Sequence, residues 1–517
     1  MRLTAILLLL ADMSLQVACG GPVPTPAQEL TTAGVDAGRS GWASAASALS
    51  ADRFDARAFG VRFRVRLAGS VLGQPLVSGG DVFVATDQDI AYRLDGATGT
   101  VKWQQSVGRA EPAGPGAPFD CADVAPSLGV LSTPVVDSGA RRLYLVARNW
   151  DGRDPATGTW VAHSLSLDTG AEAPGWPVPL AGLESNGGGG RLEAAGLLQR
   201  PALLLFRGRI WVAFGGACDR FPFRGWLASV AVNDRAVGLW TLSPGDPAGG
   251  AGVWQSGGGL ALDDAGQALL ASGDANPAHP PGVGSLAQCV LRLDLVGPTP
   301  EVSDRFCPAG AADLNRLDLD LGTGNPLPLP TGYGGHPGRL VVQVSKDGRL
   351  YLLDRDRLAN PLAVSNGHEP MLSRPAAWPG AGLVFVTGTA MRLPERPPPP
   401  EARLRAYRVR AGPPATLEAV ASSDETLPYG SGSPLVTSDG TRTASALVWV
   451  VARQDPESNG QAELRAYEGT PADSALRLRF LASIGSAPKF GQPGTDGKHI
   501  YVSTADGFVL GFGLAGQ

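Results

Sequence analysis

Asp318 and Asp320 alternate along the segment LDLDLGTGNP, with Asn325 a few residues further on. Carboxylate and amide oxygens are the ligands that hard cations such as Ca²⁺ take in proteins. The same alternation is typical of an exposed strand face or of turn caps, which is the interpretation we favour. No metal site is therefore expected, and these two aspartates are the candidates if one exists.

The chain begins with MRLTAILLLLADMSLQVACGG: one basic residue, an apolar run and small residues ending at Cys19. This layout predicts a signal peptide over residues 1–18. The small residue before Cys19 resembles the processing site of bacterial lipoproteins, which implies that Cys19 is lipidated; simple secretion is the alternative. Gly20 after the cysteine then favours the outer membrane. Residues 19–60, rich in Pro, Ala, Ser and Thr, are predicted to be a flexible tether.

Four cysteines remain beyond Cys19, an even number that allows two disulfides in any of three pairings in an oxidising compartment. We favour Cys289 with Cys307 because they flank one turn-rich stretch. That choice leaves Cys121 with Cys218 by default, and four buried thiols are the alternative.

Several kinds of chemistry lack their sequence patterns. The chain has no CxxC, CxxCH or GxSxG motif, so zinc, haem c and hydrolase sites are unsupported. His336, His368 and His499 lie far apart and are expected at the surface or in capping roles. A net charge of -5 without a basic stripe argues against a nucleic-acid partner.

The elements that position these residues form a repeat. Gly73 to Trp103 contains short strand-like runs separated by turns, and eight copies recur at separations of 49 to 67 residues. Self-similarity of this kind predicts an all-β, eight-bladed β-propeller over residues 61–517, with four-stranded antiparallel blades. The last copy lacks a strand, which Val61 to Leu67 is predicted to supply. Asp-Gly pairs at 347–348 and 506–507 predict type I′ turns. Insertions at Asn149 to Thr159, Cys218 to Arg224 and Pro394 to Glu401 are expected on one rim.

The repeats VFVATDQDIAYRLDGATGTVKW and IYVSTADGFVLGFG resemble those of PQQ-like propellers. That fold is shared by quinoprotein alcohol dehydrogenases and by the propeller lipoprotein of the outer-membrane barrel-assembly machine. Longer segments, among them STPVVD and VWQSGGGLALDDAGQALLASGDAN, resemble a narrower group of exported bacterial propellers without an assigned reaction. The resemblance runs from about Ala58 to the C-terminus and implies fold more than function.

No cofactor-binding residue of a quinoprotein can be matched to a particular position of this chain. A quinoprotein needs an adjacent-cysteine disulfide or similar apolar wall, a flat tryptophan, and carboxylate and amide ligands for Ca²⁺. The chain has no Cys-Cys pair. Trp103, Trp176 and Trp240 are expected to pack between blades. No cofactor is therefore expected, and PQQ with Ca²⁺ is the alternative.

One position of the repeat suggests a ligand site. The residue before the proline that opens each innermost strand should face the central channel. These residues are Gln74, Thr133, Arg200, Asn325, Arg374, Ser433 and Gln492, with Gly258 in the fourth of the eight slots. We expect a polar, mildly cationic mouth that holds an anion or an acidic peptide group; the alternative is a water-filled channel whose polar residues satisfy backbone groups.

These observations favour an exported, lipid-anchored, non-catalytic binding or scaffold module on the periplasmic or cell-surface side. The expected partner is an envelope protein or peptide, and the membrane is reached through the N-terminal lipid alone. A PQQ- or metal-dependent dehydrogenase is the alternative. Carbohydrate binding has Trp150 and Trp160 in its favour.

Overall fold

The computed structural model describes residues 28–515 except 154–157, 187, 219, 247, 279–281, 283, 367–368, 392–400 and 455–460. The predicted signal peptide, Cys19 and His368 lie outside these described residues, together with most of the insertion from Pro394 to Glu401.

Eight antiparallel sheets confirm the predicted eight-bladed propeller. The second strand of blade 1 is wholly buried, whereas its outermost strand is largely exposed, so each blade buries its inner strands against its neighbours. From the axis outward, blades 1 to 4 are Leu76–Ser78, Asp81–Ala85, Ile90–Asp95 and Val101–Ser106; Val135–Asp137, Arg142–Asn149, Thr159–Ser166 and Val178–Pro179; Leu204–Phe206, Arg209–Gly216, Trp226–Ala231 and Val237–Thr241; Ala261–Leu262, Ala268–Ala271, Val290–Asp294 and Glu301–Phe306. Blades 5 to 8 are Leu327–Pro328, Leu340–Val344, Arg349–Asp354 and Arg357–Asn366; Ala376–Trp378, Leu383–Thr387, Arg403–Arg410 and Thr416–Thr426; Leu435–Thr437, Leu447–Arg453, Gln461–Glu468 and Leu478–Ser486; Gly494–Thr495, Ile500–Ser503, Phe508–Leu514 and Phe59–Arg66.

Short elements decorate the blades. Additional strands are Trp42–Ala43, Glu111–Pro112, Ser127–Leu128, Leu197–Leu198 and Ala475–Leu476. The α-helix Ala311–Arg316 is joined by 3-10 turns at Ser47–Leu49, Ala122–Val124, Gln255–Gly257, Leu321–Thr323, Tyr333–Gly335, Pro379–Ala381 and Thr443–Ser445. Tryptophans pack between blades as expected: the indole of Trp103 in blade 1 donates to the Leu167 carbonyl of blade 2 at 2.8 Å.

The closing strand is also confirmed. Phe59–Arg66 pairs antiparallel with Phe508–Leu514 and completes blade 8. Its first residue, Phe59, packs against the rings of Trp449, Phe480 and Phe512. The strand therefore covers an edge that would otherwise remain open.

The Asp-Gly turns differ from the prediction. A type I′ turn needs a positive φ at both central residues. Here Gly348 has a φ of 86° and Gly507 of 86°, while Asp347 and Asp506 are not left-handed. The amide of Gly348 donates to the Ser345 carbonyl and the amide of Ser345 to Arg349. One left-handed glycine after an ordinary turn is enough to match the strand twist in such a three-residue loop.

The described part of the predicted tether is packed, which corrects the prediction from residue 28 onward. Residues 28–49, called the plug below, cross the central channel and bond to innermost strands. The backbone pairs are Leu30 with Val77, Thr31 with Val136, Ala37 with Leu262, Ser40 with Ala377, and Gly41 with Val436. Trp42–Ala43 also pairs in parallel with the innermost strand of blade 7. The plug thus closes one end of the channel.

Arg39 is the centre of the plug. Its guanidinium is fully buried and donates to the carbonyls of Leu260, Ala33 and Leu203 at 2.9, 2.9 and 3.0 Å. Burial lowers its pKa to about 9. One side chain therefore ties the plug to blades 3 and 4.

Candidate functional site

A cavity of about 410 Å³ lies on the propeller axis. It is lined by segments that precede the innermost strands and by loops between second and third strands. Every blade contributes, for example through Ser70, Val124, Arg200, Trp254, Thr323, Leu372, Tyr429 and Lys489. The plug bonds further along the innermost strands, so this axial cavity is open on one face and closed below.

Arg200 supplies a positive charge to the cavity wall. Its guanidinium donates to the Leu131 carbonyl at 3.0 Å and to the Lys489 carbonyl at 3.2 Å. Burial lowers its pKa to about 10, a value at which it is still charged near neutral pH. No carboxylate among the described residues pairs with it. The guanidinium is thus partly desolvated but not neutralised.

The predicted metal candidates face a lysine. The Lys346 ammonium lies 2.7 Å from Asp318 and 3.5 Å from Asp320. The second oxygen of Asp320 accepts the backbone N–H of Asp274 at 2.9 Å. The carboxylates of Asp274, Asp318 and Asp320 are close enough together to share a cation. The ammonium already neutralises two of them, so a divalent ion would have to displace Lys346.

Lys489 and two aromatic residues form the opposite edge. Lys489 pairs with Asp123 and lies 5.2 Å from the centre of the Tyr429 ring. The Phe490 ring meets Tyr429 edge to face at 6.2 Å. This edge offers apolar ring surface next to a neutralised cation.

Trp254 and a disulfide form an apolar wall. The indole N–H of Trp254 donates to the Gly216 carbonyl at 2.8 Å. A side chain on Gly215 would come within 2.7 Å of the indole, so the backbone must approach closely there. Cys218, bonded to Cys121, borders the same cavity.

Blade 1 holds two buried carboxyls, one of which lines the cavity. Asp87 lines it and accepts the Ser70 N–H at 2.8 Å; burial raises its pKa to about 6. Asp89 is fully buried, and neither carboxyl oxygen has a hydrogen-bond partner among the described residues. Burial, reinforced by the charge of Asp87, raises the pKa of Asp89 to about 8.

The predicted ring of polar side chains forms in pairs. The Thr133 hydroxyl accepts the N–H of Gln74 at 2.9 Å, and the Ser433 hydroxyl accepts the N–H of Arg374 at 3.0 Å. Arg374 also reaches Gln492 at 3.5 Å. The structure thus brings five of these residues together in two groups, Gln74 with Thr133 and Arg374 with Ser433 and Gln492.

The ring does not open as a mouth. Within the described chain, Arg200 is the one of the seven that lines the cavity; the other six are buried. They bond backbone groups instead: Gln74 donates to Pro493 at 2.6 Å and accepts from Gly34 of the plug at 2.8 Å, and Asn325 donates to Pro326 at 2.9 Å. The ring is a polar layer between the cavity and the plug.

The remaining cysteine, histidine and tryptophan candidates lie outside the polar ring and make structural contacts. Both favoured disulfides form, Cys121–Cys218 and Cys289–Cys307. His336 accepts the Gly338 N–H at 3.0 Å, and His499 lies 2.8 Å from Asp496. Trp160 is fully buried, which removes it as a carbohydrate platform.

Sequence reasoning missed most of the cavity. Trp254, Lys346, Arg453 and Lys489 were not singled out as site residues, yet all four line it. Their shared signal is positional: each stands just before an innermost strand or at the loop after a second strand. The repeat alignment could have identified these positions, but not which of them carry charge.

Comparisons with known proteins agree with this geometry. A family model described as outer membrane protein assembly factor BamB matches residues 34–147. The quinohemoprotein alcohol dehydrogenase from Comamonas testosteroni superposes with a TM-score of 0.65 at 14% identity, covering 95% of this chain and 81% of that chain. The fold is the PQQ-like eight-bladed β-propeller.

Two other solved structures resemble this PQQ-like propeller. A europium-containing methanol dehydrogenase has a TM-score of 0.63 at 13% identity, covering 94% of this chain and 98% of that chain. BamB from Moraxella catarrhalis has a TM-score of 0.51 at 13% identity, covering 88% and 100%. No curated protein sequence matches the chain. Among the described residues, no helix has the length and apolar character needed to cross a bilayer.

Proposed function

We propose that this propeller is a non-catalytic binding or scaffold module of the bacterial cell envelope, and that its axial cavity holds an anionic group. The observation that carries the proposal is Arg200, a cation at the cavity wall that is bonded to two backbone carbonyls. A guanidinium that has lost water without gaining a carboxylate is complementary to an anion.

The other cations sharpen this preference. Lys346 is balanced by Asp318 and Asp320, whereas Lys489 is balanced by Asp123. Neither lysine is therefore left to neutralise a ligand, whereas Arg200 has no carboxylate partner among the described residues. The Tyr429 and Phe490 rings add apolar surface nearby. We infer a ligand that joins a carboxylate or phosphate to an apolar or aromatic group.

The plug supports a binding role on one face. Residues 28–49 close the channel below the polar ring, so a ligand enters and leaves from the face that carries the insertion loops. Loops on that rim are also where a protein partner would dock, because they vary without disturbing the blades. We propose an envelope protein or peptide as that partner.

The envelope location rests on the leader sequence. The run ending in Ala18-Cys19-Gly20 supports export and lipidation of Cys19, with the outer membrane favoured. Metabolic labelling with a clickable fatty acid should mark the native protein and not Cys19→Ser. Labelling of both proteins, or of neither, would contradict lipidation at this residue.

Calorimetry with small anions tests the cavity. Benzoate should bind more tightly than acetate, because the aromatic edge adds apolar contact, and Arg200→Ala should weaken benzoate binding at least tenfold. The matched control is Arg410→Ala, an exposed arginine paired with Glu418. Arg374 is unsuitable because it holds the plug through the Arg39 carbonyl. Absence of binding to the native protein, or equal losses in both variants, would rule the proposal out.

The second candidate is a quinoprotein-type dehydrogenase. Trp254 and the Cys121–Cys218 disulfide give the axial cavity the apolar wall that a planar quinone needs, and Arg200 suits one of its carboxylates. The carboxylates suited to Ca²⁺ are held by Lys346, so the donor set does not fit the metal. Incubation with PQQ and Ca²⁺ followed by a dye-reduction assay separates the candidates: reproducible dye reduction with an alcohol would replace the binding role.

A further inference from the structure

A second cavity, of about 350 Å³, lies beside the axial cavity. The Cys121–Cys218 disulfide separates the two: Cys218 borders the axial cavity, and Cys121 borders this side cavity. The side cavity is bounded by the connection between blades 1 and 2, which includes Phe119, and by the loop after the second strand of blade 3. An exposed ion pair, Asp120 with Arg220, stands at its rim.

Two charged residues without solvent exposure line the side cavity. Arg148 lies on the second strand of blade 2, and Glu111 on the short strand Glu111–Pro112. The Nε of Arg148 donates to Oε2 of Glu111 at 2.9 Å, and its Nη1 donates to the Ala194 carbonyl at 2.7 Å. Oε1 of Glu111 and Nη2 of Arg148 are buried and have no partner among the described residues.

These two atoms belong to a half-formed fork. A guanidinium and a carboxylate usually join through two parallel hydrogen bonds, with Nε and Nη2 facing the two oxygens. Here one of the two bonds is made. A donor on Arg148 and an acceptor on Glu111 are thus left unpaired, and each costs free energy until a partner arrives.

The surroundings hold the open fork in place. The Arg148 guanidinium lies between the Phe119 and Trp160 rings, 5.7 and 5.6 Å from their centres. A side chain on Gly158 would come within 2.5 Å of Nη2 of Arg148 and of Oε2 of Glu111, so glycine is needed for the backbone to pack this closely against the pair. Burial raises the pKa of Glu111 and lowers that of Arg148, against their mutual attraction. The pair is packed on several sides, and one polar atom of each residue has no hydrogen-bond partner among the described residues.

We propose that the side cavity is a second binding site and that it takes a carboxamide group. The carboxamide oxygen accepts a hydrogen bond from Nη2 of Arg148, and its N–H donates to Oε1 of Glu111. A carboxylate would meet the charge of Glu111, and an ammonium would meet that of Arg148. A neutral group that donates and accepts at adjacent atoms satisfies both. This site is independent of the axial cavity.

Fluorine NMR with matched probes tests the specificity. The native protein should bind trifluoroacetamide at least tenfold more tightly than trifluoroacetate. Glu111→Gln should reverse that order, because it removes the negative charge and leaves Arg148. Gly158→Ala should abolish amide binding by pushing the guanidinium and the carboxylate out of place, while Arg200→Ala in the axial cavity should leave it unchanged. Equal affinities of the native protein for both probes would overturn the proposal.

A crystal soaked with trifluoroacetamide gives an independent check that needs no variant. Density for the amide between Nη2 and Oε1 supports the site; a water alone in that position, or binding at crystal concentration only, overturns it. Two peptides, acetyl-Gly-Gln-Gly-amide and its Glu analogue, test whether the carboxamide belongs to a polypeptide side chain or to a free amide. Tighter binding of the Gln peptide than of trifluoroacetamide indicates a side chain of a polypeptide, and equal binding indicates a free amide.

Discussion

Asp89 shows at the residue scale how burial and charge oppose each other. Its side chain is fully inaccessible, and burial together with Asp87 raises its pKa to about 8. In the unfolded chain an aspartate has a pKa of about 3.9. Between these values the folded state binds the extra proton, so stability falls as pH rises through this window. The residue therefore costs stability under mildly alkaline conditions.

Asp89→Asn should remove this cost. At pH 8 the variant should exceed the native protein in free energy of unfolding by about 1–3 kcal/mol, and the gain should shrink toward pH 5. Urea unfolding at both pH values measures it. The control is Asp313→Asn, whose side chain is 78% exposed and which should leave the pH profile unchanged. A gain that does not depend on pH would contradict the assignment.

The sequence could not reveal this residue. Asp87 and Asp89 stand in the segment ATDQDI, where two aspartates are typical of a solvent-exposed turn. The turn is buried because the connection into blade 2 passes over it: Gly129 packs directly against the Asp87 carbonyl. Contacts between neighbouring blades thus reverse a local prediction.

At the scale of elements, the plug is the main departure from expectation. It is held by backbone hydrogen bonds to five blades and by the bonds of Arg39, with Leu30 and Leu49 buried in the core, and its sequence shows no hydrophobic period. Composition therefore predicted a tether. Strands of the blades were predictable because alternating burial leaves a pattern, whereas a segment held by backbone groups leaves none.

Arg39→Ala tests how the plug is held. The carbonyls of Leu260, Ala33 and Leu203 would lose their buried donor, which should lower the free energy of unfolding by about 2–4 kcal/mol. Amide exchange in residues 28–49 should accelerate as well, because those groups open more often. Guanidinium chloride unfolding and hydrogen exchange provide the two measurements. Arg57→Ala, at an exposed arginine outside the plug, is the control; similar losses in both variants would contradict the central role of Arg39.

At the scale of the whole molecule, the repeat was predictable and the cavity was not. The residue–proline slots identified eight blades and even the level of Gln74, Arg374 and Gln492, because one register recurs along the chain. The charge of the cavity depends on which residues meet across the axis. Lys346 approaches Asp318 only in the folded chain, and Arg200 has no carboxylate partner in the part of the chain that the structure describes; neither fact can be read from the spacing.

Closure of the propeller should depend on the strand Phe59–Arg66. Phe59 is 4% exposed and packs against three aromatic rings of blades 7 and 8, whereas Val61 on the same strand is 49% exposed. Phe59→Ala should lower the free energy of unfolding by about 3–5 kcal/mol, and Val61→Ala by less than about 0.5 kcal/mol. Chemical unfolding measures the difference between the two variants.

Phe59→Ala should also loosen the closing strand, Phe59–Arg66, from Phe508–Leu514. An uncovered edge offers free N–H and C=O groups to a second molecule, so Phe59→Ala should form oligomers on warming below its unfolding midpoint. Size-exclusion chromatography after graded heating, with Val61→Ala run alongside, follows this. If Phe59→Ala unfolds earlier but stays monomeric until it does, the strand stabilises blade 8 without protecting its edge. The other blades would then account for the solubility of the propeller.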